Sequence, residues 1–139
     1  MPTTATVLVV EDDLSTLGLL SAVAQHYGLA TRTAENGRIA LDMIAEAPPD
    51  AIILDLIMPE LDGFEVLRRM KRDAPELLGR TIVLTAAAIR DADLHDLALA
   101  RELMYKPLDI EQLGEALIRC VYDSKEIGRD GAYETPPRP

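Results

Sequence analysis

The sequence contains no tryptophan and a single phenylalanine, and aromatic residues make up only 4% of its 139 positions. Its core must therefore be aliphatic. One cysteine, Cys120, excludes an internal disulfide and suits a reducing compartment. Basic residues are scarce: 14 Lys and Arg stand against 24 Asp and Glu, a formal net charge of −10. That balance argues against nucleic acid or an anionic membrane as a partner engaged through a basic face. No segment approaches the roughly 20 apolar residues of a membrane span. The stretch Met1 to Val10 lacks a basic leader, and its apolar run is cut short by acids, so it does not read as a signal peptide. The expectation is a cytoplasmic protein with neither a membrane nor a nucleic-acid partner.

What is present is organised around Asp50-Ala51-Ile52-Ile53-Leu54-Asp55-Leu56-Ile57-Met58-Pro59. The apolar run Ala51 to Leu54 reads as a strand buried on both faces of a parallel sheet, with Asp55 at its carboxyl end. Thr6 to Val10 is a second such run, ending in Glu11-Asp12-Asp13. A third, Thr81 to Thr85, is followed by Ala86. Ala30 to Ala34 is more polar and predicts an edge strand. Glu102 to Tyr105 predicts a short last strand before Lys106-Pro107. Helical patterns fall between them, at Leu14 to Tyr27 (stopped by Gly28), Arg38 to Ala47, Gly63 to about Arg72, Asp91 to Ala100, and Asp109 to about Ser124. In the last of these, Ile110, Leu113, Leu117 and Val121 are expected to face inward. Five βα units imply an α/β fold, a parallel sheet between two helical layers. The domain is expected to span 1–125. From Glu126 periodicity is lost and Gly and Pro accumulate, which predicts a disordered tail over 126–139.

In an open α/β sheet the ligand crevice lies at the carboxyl ends of the strands. Here those ends deliver Glu11, Asp12, Asp13, Asp55, Thr85 and Lys106 to one edge. Converging carboxylates repel, and a divalent cation removes the repulsion; hard oxygen donors suit Mg²⁺. Lys is a phosphate-binding point charge and Thr a hydroxyl donor. An Asp carboxylate can itself accept a phosphoryl group. The set thus predicts phosphoryl-transfer chemistry. Asp13, just ahead of a helix, reads as an N-cap. His26 and His95 lack metal-spaced neighbours and read as solvated helix residues. Cys120 reads as a small packing residue.

These motifs, Val-Val-Glu11-Asp12-Asp13, Asp55-Leu-Ile-Met58-Pro59, Asp62-Gly63, Thr85-Ala86 and Lys106-Pro107, resemble the receiver domain of two-component response regulators over roughly Thr6 to Ser124. The resemblance implies a flavodoxin-like, doubly wound (βα)5 fold with strand order 2-1-3-4-5, here as a stand-alone receiver. It implies Asp55 as the acceptor of phosphate from a sensor histidine kinase or histidine phosphotransfer protein. Asp12 would bind Mg²⁺ directly and Glu11 through water, with Asp55 and the Ile57 backbone carbonyl completing the ligands. Thr85 and Lys106 would meet the phosphoryl group, and the Lys106-Pro107 bond would be cis. Pro59 would shape the loop after Asp55, and Gly63 would let the next helix start close to the site. The receiver would act on its own phosphorylation state only, signalling to a downstream protein or relaying the phosphate. Pairing of two copies through the last helix–strand–helix face is a further option.

The sequence departs from the family in three places. The switch aromatic three positions before the Lys is replaced by Leu103, with Tyr105 one pleat along as a substitute. The stretch from Thr85 to Lys106 is about one residue short and carries Leu99-Ala100 where Gly-Ala is usual. Ile57 and Ala87 cannot orient an attacking water, which predicts slow self-dephosphorylation. Among rival readings, a haloacid-dehalogenase-type phosphatase would need an acid where Ile57 stands. Flavin binding would need a Ser/Thr/Gly-rich loop after Val10. A degenerate receiver serving as a phosphorylation-independent binding module would lack Asp55, Lys106 or the acidic pair.

Overall fold

The computed structural model describes residues 4–86 and 89–127. Strands β1 (Thr6–Val10), β2 (Ala30–Ala34), β3 (Ala51–Asp55), β4 (Thr81–Thr85) and β5 (Glu102–Tyr105) form one parallel sheet in the order β2-β1-β3-β4-β5. This is the flavodoxin-like order expected. β3 and β4 are buried along their whole length and β1 along all but its first residue. That is why they read as unbroken apolar runs: both faces are covered by helices. The polar β2 is an edge strand as predicted, and β5 is the other edge.

Because side chains alternate along a strand, each central strand feeds two cores. Val7, Val9, Ile53, Ile82 and Leu84 pack with Leu17, Leu20 and Ala24 of α1 (Leu14–His26) and Leu113, Leu117 and Cys120 of α5 (Ile110–Ile127). Leu8, Val10, Ile52, Leu54 and Val83 pack on the other side. Their partners are Ala40 and Ile44 of α2 (Gly37–Glu46), Val66, Leu67 and Met70 of α3 (Gly63–Asp73), and Leu97 of α4 (Leu94–Leu97). Each fully buried Leu, Ile or Val contributes about 1.5 to 3 kcal/mol.

Local signals fix the helix ends. Asp13, Asn36 and Asp62 each accept a backbone N–H at an N-terminus, and Gly28, at φ 81°, turns the chain out of α1. Arg32 donates to the carbonyls of Ala47 and Met43, closing α2 from β2.

Three sequence expectations are corrected. The helix predicted over Asp91 to Ala100 is one turn, Leu94–Leu97, preceded by a 3-10 turn at Asp91–Asp93. Neither start has a capping side chain. The N–H of Arg101 is bound to the carbonyls of Leu78 and Thr81, which obliges the chain to leave the helix early to enter β5. Ile110 lies at the first, exposed turn of α5 rather than inward, whereas Leu113 and Leu117 are buried. Finally, α5 runs to Ile127, past the expected start of the tail at Glu126. The rest of that tail lies outside the described residues.

Candidate functional site

The carboxyl ends of β1, β3, β4 and β5 meet at one edge of the sheet. Glu11 follows β1 directly, and its N–H is bound to the carbonyl of Ala34 on β2. Asp55 is the last residue of β3, Thr85 the last of β4, and Lys106 the first after β5. Strand pairing therefore places Asp55, Thr85 and Lys106 side by side. The N–H groups of Leu56 and Lys106 extend the ladder to Leu84 and Thr85 at 3.1 and 2.8 Å.

One carboxylate oxygen each from Glu11, Asp12 and Asp55 lies within 4.8 Å of the others. Glu11 is 1% exposed and Asp55 and Thr85 are buried, while Asp12 faces solvent. Lys106 reaches in from the side, its Nζ 2.9 Å from Glu11 Oε1 and 3.9 Å from Asp55 Oδ1. The other Glu11 oxygen accepts the N–H of Asp12 at 3.1 Å. Burial and the neighbouring Asp55 carboxylate push the Glu11 pKa up, more than Lys106 draws it down. Burial works against the Lys106 ammonium, but Glu11, Asp55 and Asp12 outweigh it, so its pKa rises as well. One ammonium among three carboxylates leaves a net negative crevice. Hard oxygen donors at this spacing, with one of them solvent-facing, fit a small divalent cation.

The loop after β3 is built to hold Asp55 still. Ile57 N–H points back to Asp55 Oδ1 at 3.3 Å, and Gly63 N–H bonds the Leu56 carbonyl at 2.9 Å. Met58 is buried, Pro59 is exposed, and Glu60 takes a left-handed φ of 64° to turn the loop toward Asp62. A Cβ at Gly63 would meet the Asp55 carbonyl oxygen at 2.6 Å and the Leu56 Cα at 2.7 Å. The glycine is what allows α3 to begin against the end of β3.

The chain belongs to the response regulator receiver domain family. The family model matches residues 7–118. The response regulator MprA of Mycolicibacterium vanbaalenii is 38% identical over 110 residues, 77% of this chain and 46% of that protein. The regulatory protein AtoC of Escherichia coli is 32% identical over 83% of this chain and 25% of its own length. The chain thus spans less than half of these relatives. Among solved structures, a response regulator receiver domain protein from Clostridium thermocellum matches with a TM-score of 0.77 at 27% identity, covering 88% of this chain and 98% of that one. The chemotaxis protein CheY4 of Vibrio cholerae matches with a TM-score of 0.73 at 30% identity, covering 85% and 99%.

Within the receiver, the structure brings Glu11, Asp12, Asp55, Thr85 and Lys106 together. Asp13 is apart from them as the N-cap of α1, accepting the Thr16 N–H at 2.9 Å and its hydroxyl at 2.6 Å. The Lys106-Pro107 bond is cis. Leu103 is half-buried on the α3–α4 side, and Tyr105 is exposed. Ala86 is exposed, and His26 and His95 are exposed helix residues. Ala87 lies outside the described residues. Among the described residues no helix is long and apolar enough to cross a membrane.

Sequence reasoning missed a cavity of about 230 Å³ beside the site, lined by Leu56, Ile57, Phe64, Thr85, Ile89, Arg90 and Asp93. One signal was available: Arg90 is the only Lys or Arg between Arg80 and Arg101.

Proposed function

We propose that this receiver is a phosphorylation switch in which Asp55 accepts a phosphoryl group from a phosphohistidine of a sensor kinase or phosphotransfer protein. An Asp55 carboxylate oxygen attacks phosphorus, the P–N bond to the imidazole breaks with its electron pair returning to the ring nitrogen, and an acyl phosphate forms. The observation that carries this reading is the carboxylate cluster of Glu11, Asp12 and Asp55 with Lys106 bridging Glu11 and Asp55.

Asp12 and Asp55, with Glu11 through water and the Ile57 carbonyl, would hold Mg²⁺, which supplies charge neutralisation on the transferring oxygens. Lys106 is close enough to exchange Glu11 for a phosphoryl oxygen, and the Thr85 hydroxyl supplies a donor on the other side. Ile57, 57% exposed, roofs the acceptor with apolar surface. A protein donor must approach across the rim, where Leu14 is exposed and α1 carries no Lys, Arg, Asp or Glu. A chargeless helix face in a chain of net charge −10 removes repulsion from an acidic partner. The signal would leave through α4, β5 and α5, where Leu94, Tyr105 and Ile110 are exposed. A downstream protein, or a second copy of the receiver, would dock there.

Incubation with acetyl phosphate, with and without Mg²⁺, followed by intact-mass spectrometry, tests the reading. A single phosphoryl adduct that requires Mg²⁺ and is absent from Asp55→Asn is expected. No adduct in folded protein would replace the switch with a phosphorylation-independent binding module.

A further inference from the structure

We propose that Arg90 is a phosphoryl-contacting residue of this receiver, exchanging its carboxylate partner Asp93 for the phosphoryl group on Asp55. The inference rests on the phospho-acceptor reading above. Arg90 and Asp93 line the same cavity as Thr85, the last residue of β4, and as Leu56 and Ile57, which directly follow Asp55, so the guanidinium has an existing space beside the acceptor. In the unphosphorylated receiver, Arg90 Nε sits 3.3 Å from Asp93 Oδ2, with side chains 80% and 17% exposed. An exposed, imperfectly aligned pair of this kind holds a side chain weakly, by at most about 1 kcal/mol.

Phosphorylation changes the competition. It adds close to two negative charges and three strong acceptor oxygens next to Thr85. The cavity walls on the way, Leu56, Ile57, Phe64 and Ile89, are apolar, and low surrounding polarity strengthens a guanidinium–phosphoryl pair. A planar fork suits phosphoryl oxygens better than a single contact to Asp93 does. Lys106 approaches Asp55 from the Glu11 side, and Arg90 is the only Lys or Arg in 81–100, a segment that also carries Asp91, Asp93 and Asp96.

The exchange would also transmit the signal. Asp91–Asp93 is a 3-10 turn whose last N–H bonds the Arg90 carbonyl at 2.9 Å, and it leads directly into the single turn of α4. Drawing Arg90 inward unties that turn and shifts α4. With Leu103 in place of an aromatic, this gives the receiver a route from phosphoryl group to output surface that needs no ring to swap positions.

Beryllofluoride, a non-covalent stand-in for the phosphoryl group on a carboxylate, provides the test. Wild type, Asp55→Asn, Arg90→Gln, Arg90→Lys and Asp93→Asn are titrated with it in Mg²⁺, with amide exchange followed over 89–97. Arg90→Gln is expected to bind about tenfold more weakly, the factor one charge-assisted hydrogen bond carries, and to lose the ligand-induced change in exchange. Arg90→Lys should recover part of the affinity, and Asp93→Asn should bind more tightly than wild type. Unchanged unfolding midpoints, expected for so exposed a side chain, separate this from misfolding. Equal affinity and equal exchange in wild type and Arg90→Gln would overturn the role of Arg90 alone. Failure of wild type to bind would overturn the phospho-acceptor reading, and this inference with it.

Discussion

Gly63 lies so close to Asp55 that a single added methyl would press on that residue's own carbonyl oxygen, 2.6 Å away. The obstacle is backbone, which cannot rotate aside as a side chain would. Gly63→Ala is therefore expected to displace the start of α3 or the Asp55–Leu56 peptide. It should destabilise the receiver by about 1 to 3 kcal/mol, as overpacking does. It should also slow adduct formation from acetyl phosphate while leaving the far end of the sheet intact. Chemical denaturation together with adduct formation checks this. Wild-type stability would show that the loop can yield.

The acidic cluster predicts an unusual exchange of stability for function. Glu11, Asp12 and Asp55 crowd one another, and Lys106 alone cannot neutralise them. Removing one charge by Asp12→Asn should relieve repulsion and stabilise the cation-free receiver by about 1 kcal/mol, or roughly 3 °C in Tm. Mg²⁺ should stabilise wild type by up to about 2.7 kcal/mol at a hundredfold excess over Kd, and Asp12→Asn much less. Thermal melts with Mg²⁺ and with EDTA decide the matter. An Asp12→Asn protein that melts lower and still responds fully to Mg²⁺ would remove Asp12 from the site.

Cys120 makes the fold sensitive to alkaline pH. Burial pushes its thiol up to about 11 from an ordinary value of 9.0. Between those values the folded thiol keeps a proton that the unfolded chain releases. Stability contributed by this group therefore falls as pH rises from about 9 to 11, by about 3 kcal/mol in all. Cys120→Ala should flatten that part of the stability–pH curve relative to wild type. Native protein should also resist thiol reagents at pH 8. Rapid labelling there would contradict the burial of the side chain.

Most of the fold was legible because burial and periodicity agree. Ile52, Ile53 and Leu54 are apolar since both sheet faces are covered, and Leu17, Leu20 and Ala24 repeat at helical spacing against one core. The site was legible for a related reason. Glu11, Asp55, Thr85 and Lys106 each break an apolar strand at its carboxyl end, where fold geometry makes them neighbours. The segment from Ile89 to Ala100 was not. Its helix depends on where Arg101 is anchored to Leu78 and Thr81, a tertiary demand with no local signature. The exposure of Ile110 was missed because helical periodicity does not mark how far the first turn projects beyond the core. The role proposed for Arg90 likewise depends on a cavity assembled from two loops far apart in sequence.

The exposed Ile57 is expected to lengthen the lifetime of the proposed switch. Hydrolysis of an acyl phosphate needs a water positioned in line with the bond to Asp55, and a hydrogen-bonding side chain at the rim lowers the cost of positioning it. Ile57 stands two residues after Asp55, its N–H turned back to that carboxylate and its side chain exposed. Its side chain offers no donor or acceptor to an attacking water. The phosphorylated receiver is expected to persist for minutes or longer. Ile57→Glu should shorten that half-life about tenfold or more, since a carboxylate there can accept a hydrogen bond from the attacking water. Being 57% exposed, the site should tolerate the change with little loss of stability. Decay of the adduct in both proteins, followed by intact mass after the phosphodonor is removed, gives the two half-lives. A wild-type adduct lost within seconds, or a variant that decays no faster, would place control of hydrolysis elsewhere in the crevice.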